Sequence, residues 1–171
     1  MSEITRLATE LGLLLQARGA QVTTAESCTG GGIAEAITRV AGSSAWFEAG
    51  YVTYSNRQKS LQLGVPEALF SSHGAVSQPV VEAMVKGAQA RSGARYAVAV
   101  SGIAGPGGGS ADKPVGTVWL AFADHQQVDS VCLHFSGDRD AVRRKSIQQA
   151  LSGLQSRIQN ESSREKHGCH L

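Results

Sequence analysis

Ser27, Cys28 and Thr29 stand directly ahead of three consecutive glycines, Gly30, Gly31 and Gly32, and an apolar run begins at Ile33. A hydroxyl at such a place acts as a nucleophile if a nearby base takes its proton and backbone N–H groups receive the charge that develops. The same letters also describe a plain turn, in which Ser27 or Thr29 caps a helix and the glycines shape the backbone. A helix opening near Gly30 would offer unpaired N–H groups and the positive end of its dipole to an oxyanion or a phosphate. For Cys28 the simpler reading is a small packed side chain, because thiolate chemistry needs a lowered pKa.

A base is offered by "YVTYSNRQK", which ends a β-like run at Tyr54 and puts Lys59 about one turn into the following helix. Lysine serves as a base only if desolvation or nearby positive charge brings its pKa down from about 10.4 towards neutrality. Tyr54 beside it can relay a proton or hold a substrate; the alternative is a solvated lysine and a half-buried strand tyrosine. In "FSGDRDAVRRK", Arg139 and Arg143 lie four apart and share a helix face near an N-terminus, which suits a phosphate or carboxylate. A solvated basic stripe balanced by Asp138 and Asp140 would look the same.

The elements that must carry these residues follow from periodicity. Ile4, Leu7, Leu11, Leu14 and Leu15 predict an amphipathic helix over 4–18, stopped by Gly19. A short strand over 22–25 and a helix over 33–40 put the Ser27 segment at a strand-to-helix turn, a common place for chemistry in α/β proteins. A strand over 46–54 and a helix over 55–63 come next, then a short helix opened by Pro66 and closed near Gly74. Ser77 and Pro79 head a helix through about Arg91, and "YAVAVSGIAG" reads as a buried strand. The segment "GPGGGSADKP" is too rich in glycine for regular structure and is either a flexible connection or a loop that a ligand approaches. A hairpin over 115–123 and 128–135 precedes a last helix, capped by Asp138 and running to about Ile158. The order predicts a single α/β three-layer domain over 1–159, a mixed β-sheet flanked by helices, with a polar, disordered tail over 160–171.

Other chemistries lose their support on the letters. With 42% hydrophobic and 18% charged residues in 171, the chain has the composition of one folded domain. A net charge of +2 without a large basic cluster argues against nucleic-acid binding, and no run of apolar residues is long enough to span a membrane. Three cysteines without regular spacing predict a reducing, cytoplasmic setting rather than a disulfide framework. Neither a P-loop nor a G-x-G-x-x-G fingerprint is present, and Ala25 and Thr29 stand where a nucleophile elbow around Ser27 would need glycine. The five histidines lack metal-ligand spacing, the closest being "HGCH" at 167–170.

The blocks "TTAESCTGG", "GSSAWFEAGYVTYSN", "HGAVS", "SGIAGPGGG" with "KPVGTVW", and "FSGDRDAVR" occur in the order found in the CinA C-terminal domain family, which the chain resembles over most of its length. The resemblance implies hydrolysis of the carboxamide of nicotinamide mononucleotide to nicotinic acid mononucleotide and ammonia, with no metal and no cofactor. It implies a small nucleotide as the partner and a homo-oligomer as the assembly. Residue by residue, it implies Ser27 as nucleophile, Lys59 as general base and Tyr54 as a proton-transfer or positioning group. Arg139 matches the family's arginine, with Arg143 as the alternative. Taken with that likeness, the backbone of Thr29, Gly30 and Gly31 is expected at the oxyanion, and Gly102, Gly105, Gly107 and Gly108 near the ribose phosphate. The alternative expectation is a non-catalytic module that binds a nucleotide, or a partner linked to competence or DNA damage.

Overall fold

Leu7, Leu11 and Leu15 recur on one face of α1 (Glu3–Arg18) and are buried there, which is what their spacing requires. Ser2 opens the helix by accepting the Thr5 N–H, and Gly19 closes it with φ of 59°. The computed structural model describes residues 1–168, with side chains described through Glu161. In chain order α1 is followed by β1 (Val22–Glu26), α2 (Gly32–Thr38), β2 (Phe47–Val52), α3 (Asn56–Leu63), α4 (Glu67–His73) and α5 (Gln78–Ser92). Then come β3 (Tyr96–Gly102), β4 (Thr117–Ala123), β5 (Val128–His134) and α6 (Arg139–Gly168).

The sheet is mixed, in the order β2-β1-β3-β4-β5. β1 pairs in parallel with both β2 and β3, while β3, β4 and β5 pair antiparallel. Alternation along β3 divides the core: Val98 and Val100 face α1, α2 and α6, whereas Ala97 and Ala99 face α5. Small residues on the second face let Val80, Val81, Met84 and Val85 of α5 settle close to the sheet. Burying each such side chain contributes about 1.5–3 kcal/mol, so this layer firmly supports the helices around it. The expected three-layer α/β domain with a mixed sheet is the architecture found.

Three details differ from the sequence expectation. A 3-10 turn over Ser43–Ala45 precedes β2. Ser77 stands at the head of α5 but makes no cap; its hydroxyl donates to the Gly74 carbonyl instead. The last helix does not stop near Ile158: α6 continues through 160–168, where a disordered tail was expected, and Glu161 is buried against Arg95 and the Tyr96 hydroxyl. Tertiary partners extend the helix beyond the point where its apolar period ends. Residues 169–171 of the expected tail, including the second half of "HGCH", lie outside the described residues. No helix among the described residues is long and apolar enough to cross a membrane.

Candidate active site

The C-terminal ends of the parallel strands meet where successive connections leave the sheet in different directions, and a crevice opens there. Ser27 directly follows β1, and its N–H donates to the Val100 carbonyl of β3. The chain then turns tightly, with the Gly30 N–H closing on the Ser27 carbonyl and the Gly32 N–H on that of Thr29, each at 3.0 Å. Gly30 and Gly31 hold φ of 60° and 101°, left-handed values that glycine adopts without steric cost.

Lys59 enters from α3, whose first turn is set by Ser55 accepting the Gln58 N–H. It is 1% exposed, and its Nζ lies 2.9 Å from Ser27 Oγ, 2.9 Å from the Thr53 carbonyl and 3.2 Å from the Tyr54 carbonyl. Burial penalises the ammonium and brings the Lys59 pKa down to about 8. Burial has the opposite effect on the neighbouring thiol, raising Cys28 to about 11. One desolvated pocket therefore favours a neutral amine and a neutral thiol together.

Tyr54 is largely exposed at the mouth, where its hydroxyl accepts from Arg139 Nη2 at 2.9 Å. Arg139 also donates through Nη1 to the Gly105 carbonyl at 2.7 Å, which joins the head of α6 to the glycine-rich loop. That loop is held rather than free, because Lys113 Nζ donates to the His73 carbonyl at 2.6 Å and Ser110 N–H to the Lys113 carbonyl. The resulting cavity measures about 270 Å³, and its walls include Ser27, Lys59, Tyr54 and Arg139 with the backbone at Gly102, Gly105, Gly107 and Gly108.

Four residues expected on the substrate side do not line this cavity: Thr29, Gly30, Gly31 and Arg143. The Thr29 hydroxyl is buried and donates to Glu26, and Arg143 donates to the carbonyls of Cys28 and Thr29 at 3.1 and 3.2 Å. Nor is the start of α2 open to an anion, since the Glu26 carboxylate already accepts the N–H groups of Ile33 and Ala34. Cys28 also lines the cavity, and residues with no earlier assignment complete it: Asn56, Ala75, Val76, Ser101, Ile103 and Ala104. Ala75 and Val76 lie in "HGAVS" and Ser101 in the "VSGIAG" run, so their blocks were visible in sequence although their individual roles were not. Among the described residues, the lining includes no histidine or carboxylate. Asp124, His125 and Glu161 do bring ligand atoms within 4.8 Å of one another, but they are not part of the cavity wall, and Arg95 already pairs with Glu161.

The family model for the CinA C-terminal domain matches residues 4–158. The chain belongs to the CinA C-terminal domain family. Among relatives, it is similar to nicotinamide-nucleotide amidohydrolase PncC of Pseudomonas putida, 71% identical over 90% of this chain and 96% of that one. PncC of Escherichia coli strain K12 is 56% identical over 90% of this chain and 93% of the relative. A CinA superfamily protein from Klebsiella pneumoniae has the same fold, with a TM-score of 0.89 at 37% identity, over 92% of this chain and 98% of that one. The competence/damage-inducible protein of Agrobacterium tumefaciens gives 0.89 at 43% identity, over 91% and 96%. In this CinA-family chain, the blocks that carried the resemblance converge on one cavity from β1, α3, the loop after β3 and the head of α6.

Proposed function

We propose that this chain is a nicotinamide-nucleotide amidohydrolase in which Ser27 and Lys59 form the catalytic pair. The family membership and the PncC relatives, 71% and 56% identical over nearly their whole lengths, support the reaction. The observation that carries the mechanism is the Lys59 amine on Ser27 Oγ at 2.9 Å with two backbone carbonyls as its other neighbours. A neutral amine has two hydrogens and one lone pair. The carbonyls of Thr53 and Tyr54 take the hydrogens, which leaves the lone pair facing the Ser27 hydroxyl.

The substrate is nicotinamide mononucleotide. Lys59 takes the Ser27 proton as Oγ attacks the carboxamide carbon, and the carbonyl π pair moves to oxygen. Gly30 and Gly32 spend their N–H groups inside the turn and Thr29 and Gly31 do not line the cavity, so the main-chain amide of Cys28, the turn residue after Ser27 that does line it, is the donor assigned to that oxyanion. A donor of this kind is worth about 3 kcal/mol of transition-state stabilisation. Collapse of the intermediate breaks the C–N bond as Lys59 returns the proton to the leaving nitrogen, which departs as ammonia. Water then adds to the acyl-enzyme with Lys59 again as base, and nicotinic acid mononucleotide leaves as Ser27 recovers its proton. Arg139 and the glycine-rich backbone receive the ribose phosphate, with Tyr54 holding Arg139 in place. A cytoplasmic homo-oligomer is part of the same proposal, and its assembly is read by light scattering.

Ammonia release from nicotinamide mononucleotide by the purified protein tests the reading. Wild type should turn over, while Ser27→Ala and Lys59→Ala should lose at least about 10²-fold in kcat. Tight binding without release by wild type would favour the non-catalytic module.

A further inference from the structure

Glu26 immediately precedes the nucleophile, yet its side chain lies on the opposite face of the sheet from Ser27, because successive strand residues alternate. It is completely buried, and its carboxylate is fully engaged. Oε1 accepts the Thr29 hydroxyl at 2.6 Å and the Ile33 N–H at 2.8 Å, and Oε2 accepts the Ala34 N–H at 3.0 Å. Burying a carboxylate is costly unless hydrogen bonds and a favourable field replace its water. A serine or aspartate beside α2 would cap that seven-residue helix at less cost. The glutamate does something a local cap would not: it ties the turn after Ser27 to the body of the domain.

The same residue also reaches the base. Its main-chain carbonyl accepts the Thr53 N–H at 2.8 Å, and the Thr53 carbonyl in turn holds Lys59 Nζ. Arg143 grips the turn from the other side through the carbonyls of Cys28 and Thr29. The turn is thus held at its donors by an anion and at its acceptors by a cation.

We propose that Glu26 is a positioning residue of the amidase site, whose buried carboxylate fixes the 27–31 turn so that Ser27 Oγ stays on Lys59 Nζ, without itself touching the substrate. This rests on the Ser27–Lys59 reading above. It accounts for a charge buried where no substrate reaches it, and for a helix end filled from within.

Glu26→Gln keeps the size of the side chain but sets an NH₂ group against donors. Thr29→Val keeps the shape and the main-chain N–H while removing one hydroxyl contact. Both are compared with wild type for ammonia release and for melting temperature, with kinetics read well below every melting point. Displacing a reacting atom by a fraction of an ångström to an ångström is expected to lower kcat by about 10²-fold in Glu26→Gln and about tenfold in Thr29→Val. KM should stay within about threefold, since no substrate contact is lost. The ascending limb of the pH–rate profile should keep its position in both variants. A kcat within about twofold of wild type, however large the loss of melting temperature, would make Glu26 purely structural and overturn the proposal. A raised KM at unchanged kcat, or a displaced limb at unchanged plateau, would overturn it equally. If Glu26→Gln does not fold, Thr29→Val carries the same comparison. Wild type inactive on nicotinamide mononucleotide would remove the amidase reading and this inference together, whereas active wild type, silent Ser27→Ala and full-speed Glu26→Gln would remove this inference alone.

Discussion

In the proposed mechanism, Lys59 sets how the chemistry depends on pH. An ordinary lysine, near 10.5, is almost wholly protonated at neutral pH, whereas burial brings this one to about 8. Only the neutral amine accepts the Ser27 proton, so kcat/KM should rise as pH passes upward through about 8 and fall away below it. A kcat/KM profile over that range checks this. Stability follows the same group with a defined sign. Between about 8 and 10.5 the unfolded chain binds a proton that the folded chain does not, so this group's contribution improves as pH rises through that window. Below about 8 its cost is fully present. Wild type should therefore gain on Lys59→Met between about pH 7 and about pH 10, read as the difference in urea midpoints. Cys28 responds to the same burial with opposite sign, its thiol pushed up to about 11. In native protein at neutral pH it should resist iodoacetamide, and unfolding should release it to alkylation, as peptide mass spectrometry would show.

At the scale of elements, the position of Lys59 depends on how α3 lies on α5. A Cβ added at Gly87 of α5 would stand 2.0 Å from the Leu63 carbonyl oxygen at the end of α3. That contact is with backbone and cannot be relieved by a rotamer, so Gly87→Ala should cost about 1–3 kcal/mol in denaturant unfolding. Because α3 also carries Lys59, kcat should fall in the folded fraction, a coupling that a surface mutation of equal cost would not show. β2 and β1 contribute in a similar way. β1 is buried along its whole length even though Thr23, Thr24 and Glu26 are polar, and Thr23 satisfies its hydroxyl on the Ala49 carbonyl of β2 at 2.7 Å. The strand that leads into Ser27 is thereby locked to its neighbour by side-chain as well as ladder bonds.

The whole molecule is closed by α6, which brings Arg139 to the cavity and Arg143 to the turn behind it at one end, and the buried Glu161 to the sheet at the other. Glu161 pairs with Arg95, accepts the Tyr96 hydroxyl and is fully buried. Glu161→Ala would leave charge and hydroxyl without that partner and should cost about 3 kcal/mol, measured by urea unfolding. Glu161 lies outside the cavity wall, so kcat of the folded variant should match wild type. The two effects separate stability carried by the far end of α6 from chemistry carried by its near end.

Helices over 4–18 and 77–91, the buried strand from Tyr96 and the hairpin after it were legible because their apolar residues recur with helical or strand periods, a property of the letters alone. So was the family, since ordered blocks of unusual residues need no coordinates to be read. Periodicity could not show which side of a turn a polar residue faces. Only the folded chain put the Thr29 hydroxyl and Arg143 behind the Ser27 turn and Arg139 on the cavity wall. Only the folded chain filled the start of α2 with Glu26, whose partners lie seven and eight positions away. The helix end at 158 was misread for the same reason: α6 continues where Glu161 finds Arg95 and Tyr96, contacts more than 60 residues distant in sequence. Local propensity determines elements, but burial and long-range hydrogen bonds determine the protonation of Lys59 and the orientation of Ser27. Those depend on which groups the tertiary structure places within 3 Å of each other.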